Sequence, residues 1–281
     1  MLAALRRRSS VELSMASIAF IVLFLLPAPL YFVAWVSFSG EQFLRIPPRS
    51  YSLRWYIEFL SSAKWMYALG VSVVLGLVVA VVTTATALFA ALAAERMRAG
   101  SRAGLEILIM LPLLFPAAAM AIAMRAVNDQ LGINATFIGV MIAHVVICGP
   151  FAYRPIAVNL RALDPATREA AMSLGASPIY TLWHVILPQL KPGLITSLWF
   201  SFIISFDEVN VTMFLVGINF TTLPVQTYAH LADSGDPIVA AISVFLIVVT
   251  LLLVLVLQRT VGLKMLVNSE SRINELRRGK D

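Results

Sequence analysis

The stretch Ile238–Leu257, IVAAISVFLIVVTLLLVLVL, carries no charge along its whole length. A helix needs roughly 20 mainly apolar residues to cross about 30 Å of hydrocarbon, and this run supplies them. Its surroundings are of the same kind, because 60% of the 281 residues are hydrophobic and only 13% are charged. A soluble domain carries about 45–50% apolar and about 25% charged residues, so a water-soluble globule is excluded. Intrinsic disorder is excluded as well, since disordered chains are poor in hydrophobic residues. The single cysteine, Cys148, rules out an internal disulfide and any multi-cysteine metal cluster. His184 and His230 are far apart and expected on opposite sides of the membrane, so no zinc site is expected either.

Five further apolar stretches lie upstream: Met15–Phe38, Met66–Ala94, Leu105–Met124, Thr136–Tyr153 and Ile195–Val216. Prolines interrupt the third and fourth, and Pro112 and Pro116 predict a kink in the third. The fifth is unusual because Asp207 and Glu208 sit inside it. The first is read as a retained helix, since its apolar run exceeds the usual 7–15 residues of a signal peptide and no small-x-small site closes it. The expected fold is an all-α membrane protein with six transmembrane helices. No repeat or low-complexity tract divides the chain, so residues 1–281 are expected to form one domain.

The net charge of +6 is distributed unevenly. With the N-terminus placed in the cytoplasm, all but five of the 21 Lys and Arg residues fall on the cytoplasmic side; the exceptions are Arg45, Arg49, Arg54, Lys64 and Arg125. The positive-inside rule therefore puts both termini in the cytoplasm. Since no aromatic or structured module accompanies the basic tail, the charge excess is a topology signal and no nucleic acid is expected as a partner. Ser39–Trp65, with Pro47, Pro48, Tyr51, Trp55, Tyr56 and Phe59, is either a short helix along the outer interface or a simple loop. Gly217–Pro237 is expected as a second outer loop.

The longest cytoplasmic segment is Arg161–Gly193, RALDPATREAAMSLGASPIYTLWHVILPQLKPG. Asp164-Pro165 predicts a capped helix start, and Gly175 a left-handed stop after Ala166–Leu174. Ser177-Pro178 repeats the cap-plus-proline signal before a second short helix, Ile179–Val185, and Pro188 and Pro192 are expected to break the chain. Two short helices with a tight bend form an exposed knob, suited to a groove on another protein.

Glu169-Ala170-Ala171, three residues, Gly175, nine residues, then Val185-x-Leu187-Pro188 resembles the EAA loop of binding-protein-dependent ABC importer permeases, departing only by valine for isoleucine at Val185. Ser52-Leu53-Arg54-Trp55-Tyr56, Phe206-Asp207-Glu208 and Thr222-Leu223-Pro224-Val225 are similar to spermidine/putrescine permeases of the C-subunit type. That family often opens its second span with Asn-Ser, where this chain has Val71-Ser72, and a polar contact between spans is expected to be missing.

The resemblance implies a type I ABC importer permease (MetI-like) fold in a bacterial cytoplasmic membrane. It implies a second permease subunit, two copies of a cytoplasmic ATPase and an extracytoplasmic substrate-binding protein as partners. Glu169, Ala170, Ala171, Gly175, Leu187 and Pro188 would form the ATPase-coupling surface. No G-x-x-x-x-G-K-[ST] loop occurs in the chain, so this subunit is expected to be non-catalytic, with ATP and Mg on the partner ATPase. Asp207 and Glu208 are the pathway candidates: charge within a span is costly and normally faces a cavity or a partner. Two anions suit a cationic amine of the polyamine type. The pair could equally bridge a partner subunit or cap an irregular helix. Adjacent helix positions diverge by about 100°, so the two carboxylates share a direction only if the helix breaks there. His144 is read as bonded between helices, with a path-lining role as the other reading. Another small solute (an amine or amino-acid derivative) and an ion-coupled secondary transporter using Asp207 or Glu208 remain the alternatives.

Overall fold

A computed structural model describes residues 15, 17–43, 45–217 and 220–259. The cations Arg6, Arg7, Arg8, Lys264, Arg272, Arg277, Arg278 and Lys280, which contribute to the orientation argument, lie outside the described residues. Those residues form helices, with only two isolated β-bridges, Ser39 with Tyr51 and Gly217 with Phe220.

The described residues divide into two units. The first runs to Ser62 and includes Ala229–Val248. Its elements are α1 (Ser17–Val36), interrupted by a turn before Ala28–Val36, and α2 (Arg54–Ser61). The Ser52–Tyr56 motif ties these two helices together. The Ser52 amide donates to Phe38 O (2.8 Å), Arg54 Nη1 donates to Gly40 O (3.3 Å), and Tyr56 OH donates to Ser37 Oγ (2.7 Å). Arg54 also lies 4.1 Å from the Trp55 ring centre. Of the two readings of Ser39–Trp65, the short helix is the one observed.

The second unit comprises Ala63–Tyr228 and the described residues from Val249. It contains α3 (Ala63–Arg96), α4 (Ala99–Met110), α5 (Ala117–Gln130), α6 (Phe137–Arg161), α7 (Pro165–Ser173), α8 (178–189), α9 (Lys191–Phe206) and α10 (Thr212–Leu215). Two more helices, α11 (Leu223–Asp233) and α12 (Ile238–Leu257), have residues in both units.

Helices α3, α6 and α9 pack on one another to form the core of this unit. Small side chains recur every fourth residue on the packed faces: Ala68, Ser72, Gly76, Ala80 and Thr84 on α3, and Gly193, Ser197, Ser201 and Ser205 on α9, nearly all of them buried. Lipid tails are as apolar as leucine, so helices in a bilayer associate through close backbone approach and interhelical hydrogen bonds rather than by escape from water. Thr84 Oγ1 and Ser197 Oγ are 2.9 Å apart across the α3–α9 contact, and Cys148 Sγ donates to Ser201 O across α6–α9 (3.5 Å). At Gly193 a Cβ would come within 2.9 Å of Pro155 O, so only glycine allows this approach.

Among the described residues, four helices are long and apolar enough to cross a membrane: Ser17–Val36, Ala63–Arg96, Phe137–Arg161 and Ile238–Leu257. The expected third span is a correction. It is two helices, Ala99–Leu113 and Ala117–Gln130, bent by 104° at the Pro112–Pro116 break, well beyond a kink. Pro112 sits in a 3-10 turn and Pro116 precedes α5 with extended ψ, so the missing amides fall where no helix needs them. The fifth stretch also differs, since its helix stops at Phe206. Conversely, α6 runs on through Pro150 and Pro155 to Arg161, as membrane helices tolerate when other groups satisfy the freed carbonyls.

The serine that this chain shares with the Asn-Ser pattern, Ser72, does make a polar contact. Its buried Oγ accepts from the Leu223 amide at 2.8 Å and satisfies an otherwise free donor at the start of α11.

Overpacking a tight helix contact costs about 1–3 kcal/mol. Gly193→Ala should therefore lower the melting temperature of the detergent-solubilised protein, whereas Gly70→Ala, where an added Cβ meets nothing within 4 Å, should not.

Candidate functional site

Two regions hold the functional candidates, at opposite ends of α9. Its 16 residues span about 24 Å.

At the C-terminal end, α9 stops because Asp207 leaves the helical conformation (φ −100°, ψ 3°) while its amide still donates to Ile203 O at 3.2 Å. Residues 208–211 are not helical, and α10 begins at Thr212. Glu208 Oε1 accepts from the Val211 amide (2.7 Å), so this carboxylate caps the next turn. The capping alternative raised by the sequence is thus realised by Glu208. Asp207 is exposed and makes no side-chain hydrogen bond or ion pair among the described residues. The break also removes the 100° restriction between the two carboxylates.

The unwound segment is held on several sides. His144 of α6 is 1% exposed, and its ring spans the gap, with Nδ1 2.8 Å from Ser205 Oγ of α9 and Nε2 2.8 Å from Thr212 Oγ1 of α10. It is therefore bonded between helices, as its place on an apolar span suggested. Arg125 of α5 donates through Nη1 to Phe214 O at 2.8 Å, satisfying a carbonyl that a four-residue helix cannot satisfy itself. Nothing in the sequence around Arg125 points to this partner, 89 residues away. Val211 and Leu215 pack into a core with Leu75, Val79, Ala121, Val140 and Ala143. The one sequence signal for this arrangement is the fourfold spacing of Ser197, Ser201 and Ser205, which puts a hydroxyl under His144.

At the other end of α9 lies the hairpin of α7 and α8. Asp164 Oδ1 accepts from the Ala166 amide (2.9 Å) with Pro165 at the first helical position. Gly175 has φ +89°, and the Ala176 amide reaches back to Ala171 O at 3.1 Å, closing the helix end as expected. Ser177 Oγ accepts from the Tyr180 amide (3.2 Å) and opens α8. α8 is longer than expected. It runs 178–189 through a π-turn at Leu182–Ile186, and Pro188 lies within it. The π-turn absorbs the amide that proline lacks by bonding the Leu187 amide to Leu182 O.

Glu169, Ala170, Gly175 and Pro188 are exposed, while Ala171 and Leu187 are half-buried. The Glu169 side chain makes no hydrogen bond or ion pair among the described residues. Large apolar side chains crown the bend: Leu174 is 90% exposed, and Ile179, Tyr180 and Trp183 are exposed beside it. Ala171, Leu174, Gly175, Ala176, Ser177 and Tyr180 line an open hollow there. Apolar groups of this size left on a surface mark an interaction site.

A family model described as "Binding-protein-dependent transport system inner membrane component" matches residues 86–265. The chain is 31% identical, over 87% of its own length and 91% of the relative's, to PhnV of Salmonella typhimurium, named as a candidate 2-aminoethylphosphonate transport system permease protein. It is 27% identical to the spermidine/putrescine transport system permease protein PotC of Haemophilus influenzae, covering 85% and 93% of the two chains. Among solved structures, a chain of a bacterial alginate ABC transporter, crystallised with an alginate-pentasaccharide-bound periplasmic protein, superposes with a TM-score of 0.69 at 14% identity, covering 92% and 96% of the two chains.

Removing the His144 ring should unclasp the break, because it leaves two buried hydroxyls without partners, each worth about 1–3 kcal/mol. His144→Ala is expected to lower the melting temperature in detergent and to speed proteolysis within 207–217; unchanged values for both would show that the bridge contributes nothing.

Proposed function

The chain belongs to the binding-protein-dependent transport system inner membrane components, and we propose that it passes small solutes bearing a protonated primary amine. It is a permease subunit of an ABC importer, a multi-pass protein of the bacterial inner membrane. The observation that carries the substrate reading is Asp207: an exposed, unpartnered carboxylate on an unwound segment between two helices. Discontinuous helices are where transporters build substrate sites, because irregular backbone is tolerated only where it lines a cavity or is buried in protein. A carboxylate there attracts an ammonium group and repels anions. Spermidine and putrescine fit as polycations. 2-Aminoethylphosphonate is the second reading, favoured by the resemblance to PhnV; it offers the same ammonium with an anion at the other end.

In this reading the broken pairs α4/α5 and α9/α10 each count as one crossing, which gives six, with both termini in the cytoplasm. Residues 1–281 act as one permease domain with a coupling loop at 161–193. A second permease subunit completes the pathway, a soluble protein outside the membrane delivers substrate, and two ATPase subunits bind ATP and Mg below. Glu169, Ala170, Ala171 and Gly175, with Leu187 and Pro188 behind them, form the ATPase contact. The exposed apolar crown around Leu174 supports this, since no described residue covers it. Closure of the ATPases would move the hairpins together and switch access between the two sides.

Both halves of the reading are testable in the reconstituted complex. Asp207→Asn and Glu208→Gln, the latter preserving the acceptor that caps Val211, should each reduce uptake of spermidine or 2-aminoethylphosphonate about tenfold, the worth of one charge-assisted hydrogen bond. Wild-type uptake in both would remove the acidic pair from the pathway. Whichever of the two amines stimulates ATP hydrolysis, with its cognate binding protein present, decides between them.

Glu169→Lys and Gly175→Asp should leave membrane insertion intact but lose ATP-driven uptake. A Cβ at Gly175 meets nothing within 4 Å, so loss there reflects the bend and the partner surface rather than internal packing. Unaltered uptake in both variants would argue against the hairpin as the coupling surface.

A further inference from the structure

Helix α7 has an unusual attachment. None of its nine residues is buried, so no core holds it. Among the described residues, one side-chain polar contact joins it to another helix: Arg168 Nη1 donates to Glu95 Oε2 at 3.3 Å, with both side chains roughly a third exposed (34% and 40%). Glu95 is the penultimate residue of α3, directly after buried Ala91 and Ala94, and α3 is one of the three helices of the core. The end of α6 is held differently. Arg161 pairs with Glu106 of α4, which also takes Arg102 Nε at 3.0 Å and the Tyr153 hydroxyl at 3.4 Å. The root of the loop is therefore clamped by a four-member cluster, while α7 beyond it reaches α3 directly through one ion pair and otherwise rests on α8, whose Ile186 is buried in the cluster with Ala87, Ala91 and Ile156.

We propose that the Arg168–Glu95 pair is the positioning link through which displacement of α7 reaches the transmembrane core by way of α3. The inference rests on the hairpin being the ATPase contact. An exposed ion pair adds little to stability, so conservation of the fold does not require it. It is, however, a direct contact at 3.3 Å, and it joins a helix with no buried residue to one fixed by packing along its length. With the link cut, α7 can follow the ATPase while α3 stays where it is. Glu169 lies next to Arg168 on α7 and Leu174 just past it, while Ile179, Tyr180 and Trp183 of the crown lie on α8, so α7 carries part of the surface that meets the partner together with the residue that grips α3.

The test compares Glu95→Lys, Arg168→Glu and the double swap in the complete reconstituted transporter, reading ATPase binding, ATP hydrolysis and uptake separately. Each single variant should keep ATPase binding and hydrolysis within about twofold of wild type while uptake falls at least about tenfold. The double swap, which restores opposite charges across the same gap, should recover most of the uptake. Normal uptake in the single variants overturns the link, and so does a double variant no better than the singles. Loss of ATPase binding in the singles also overturns it, making the pair a docking element instead. If the wild-type chain binds no ATPase and its uptake needs no ATP, the permease reading itself fails, a result plainly separate from the others.

Discussion

Every backbone amide and carbonyl held in apolar surroundings must find its partner inside the protein, because no water is present to replace it. That constraint explains most of what is particular about this chain. Interrupting a helix at Asp207 frees donors and acceptors on both sides of the gap; two side chains take up freed backbone groups, and a third clasps hydroxyls across the gap. Glu208 accepts from Val211, Arg125 reaches the Phe214 carbonyl, and the His144 ring joins Ser205 to Thr212. The same demand recurs at the start of α11, where Ser72 accepts from Leu223. Irregular backbone persists in this protein where polar side chains are aimed at it.

Such aiming requires helices that approach closely, and the small-residue rows on α3 and α9 provide that. Without a hydrophobic force to separate helix from lipid, contact area and hydrogen bonds decide which faces meet. Serine and threonine serve both ends: they are small enough for close packing and carry the hydroxyls that bridge Thr84 to Ser197 and Ser205 to His144. The scaffold that fixes the break is therefore also what packs the three-helix core, and the two cannot be altered independently.

The hairpin obeys a different rule. It has water available, so its ends are capped locally by Asp164, Ser177 and the left-handed Gly175 rather than by distant partners. Only α8 of the hairpin reaches the core, through Ile186, while α7 buries nothing and the bend leaves apolar side chains in the open. The hairpin is thus exposed at one end of α9, whereas the break at the other end is clasped by buried side chains.

The sequence alone determined the features governed by local chemistry. Apolar runs of sufficient length announced four of the membrane-length helices, charge asymmetry suggested an orientation, and cap-proline-glycine spacing placed the hairpin with its exposed Glu169. It misjudged prolines, because their effect depends on whether the missing amide was needed: Pro150, Pro155 and Pro188 are carried within helices, while Pro112 and Pro116 accompany a 104° bend. It could name Asp207 and Glu208 but not divide their roles, since one becomes a cap and the other stays free only after the helix breaks. Tertiary structure alone decided that break and its clasp. The partners of His144, Arg125 and Ser72 lie between 61 and 151 residues away, and no periodicity along one helix records which residue of another will face it.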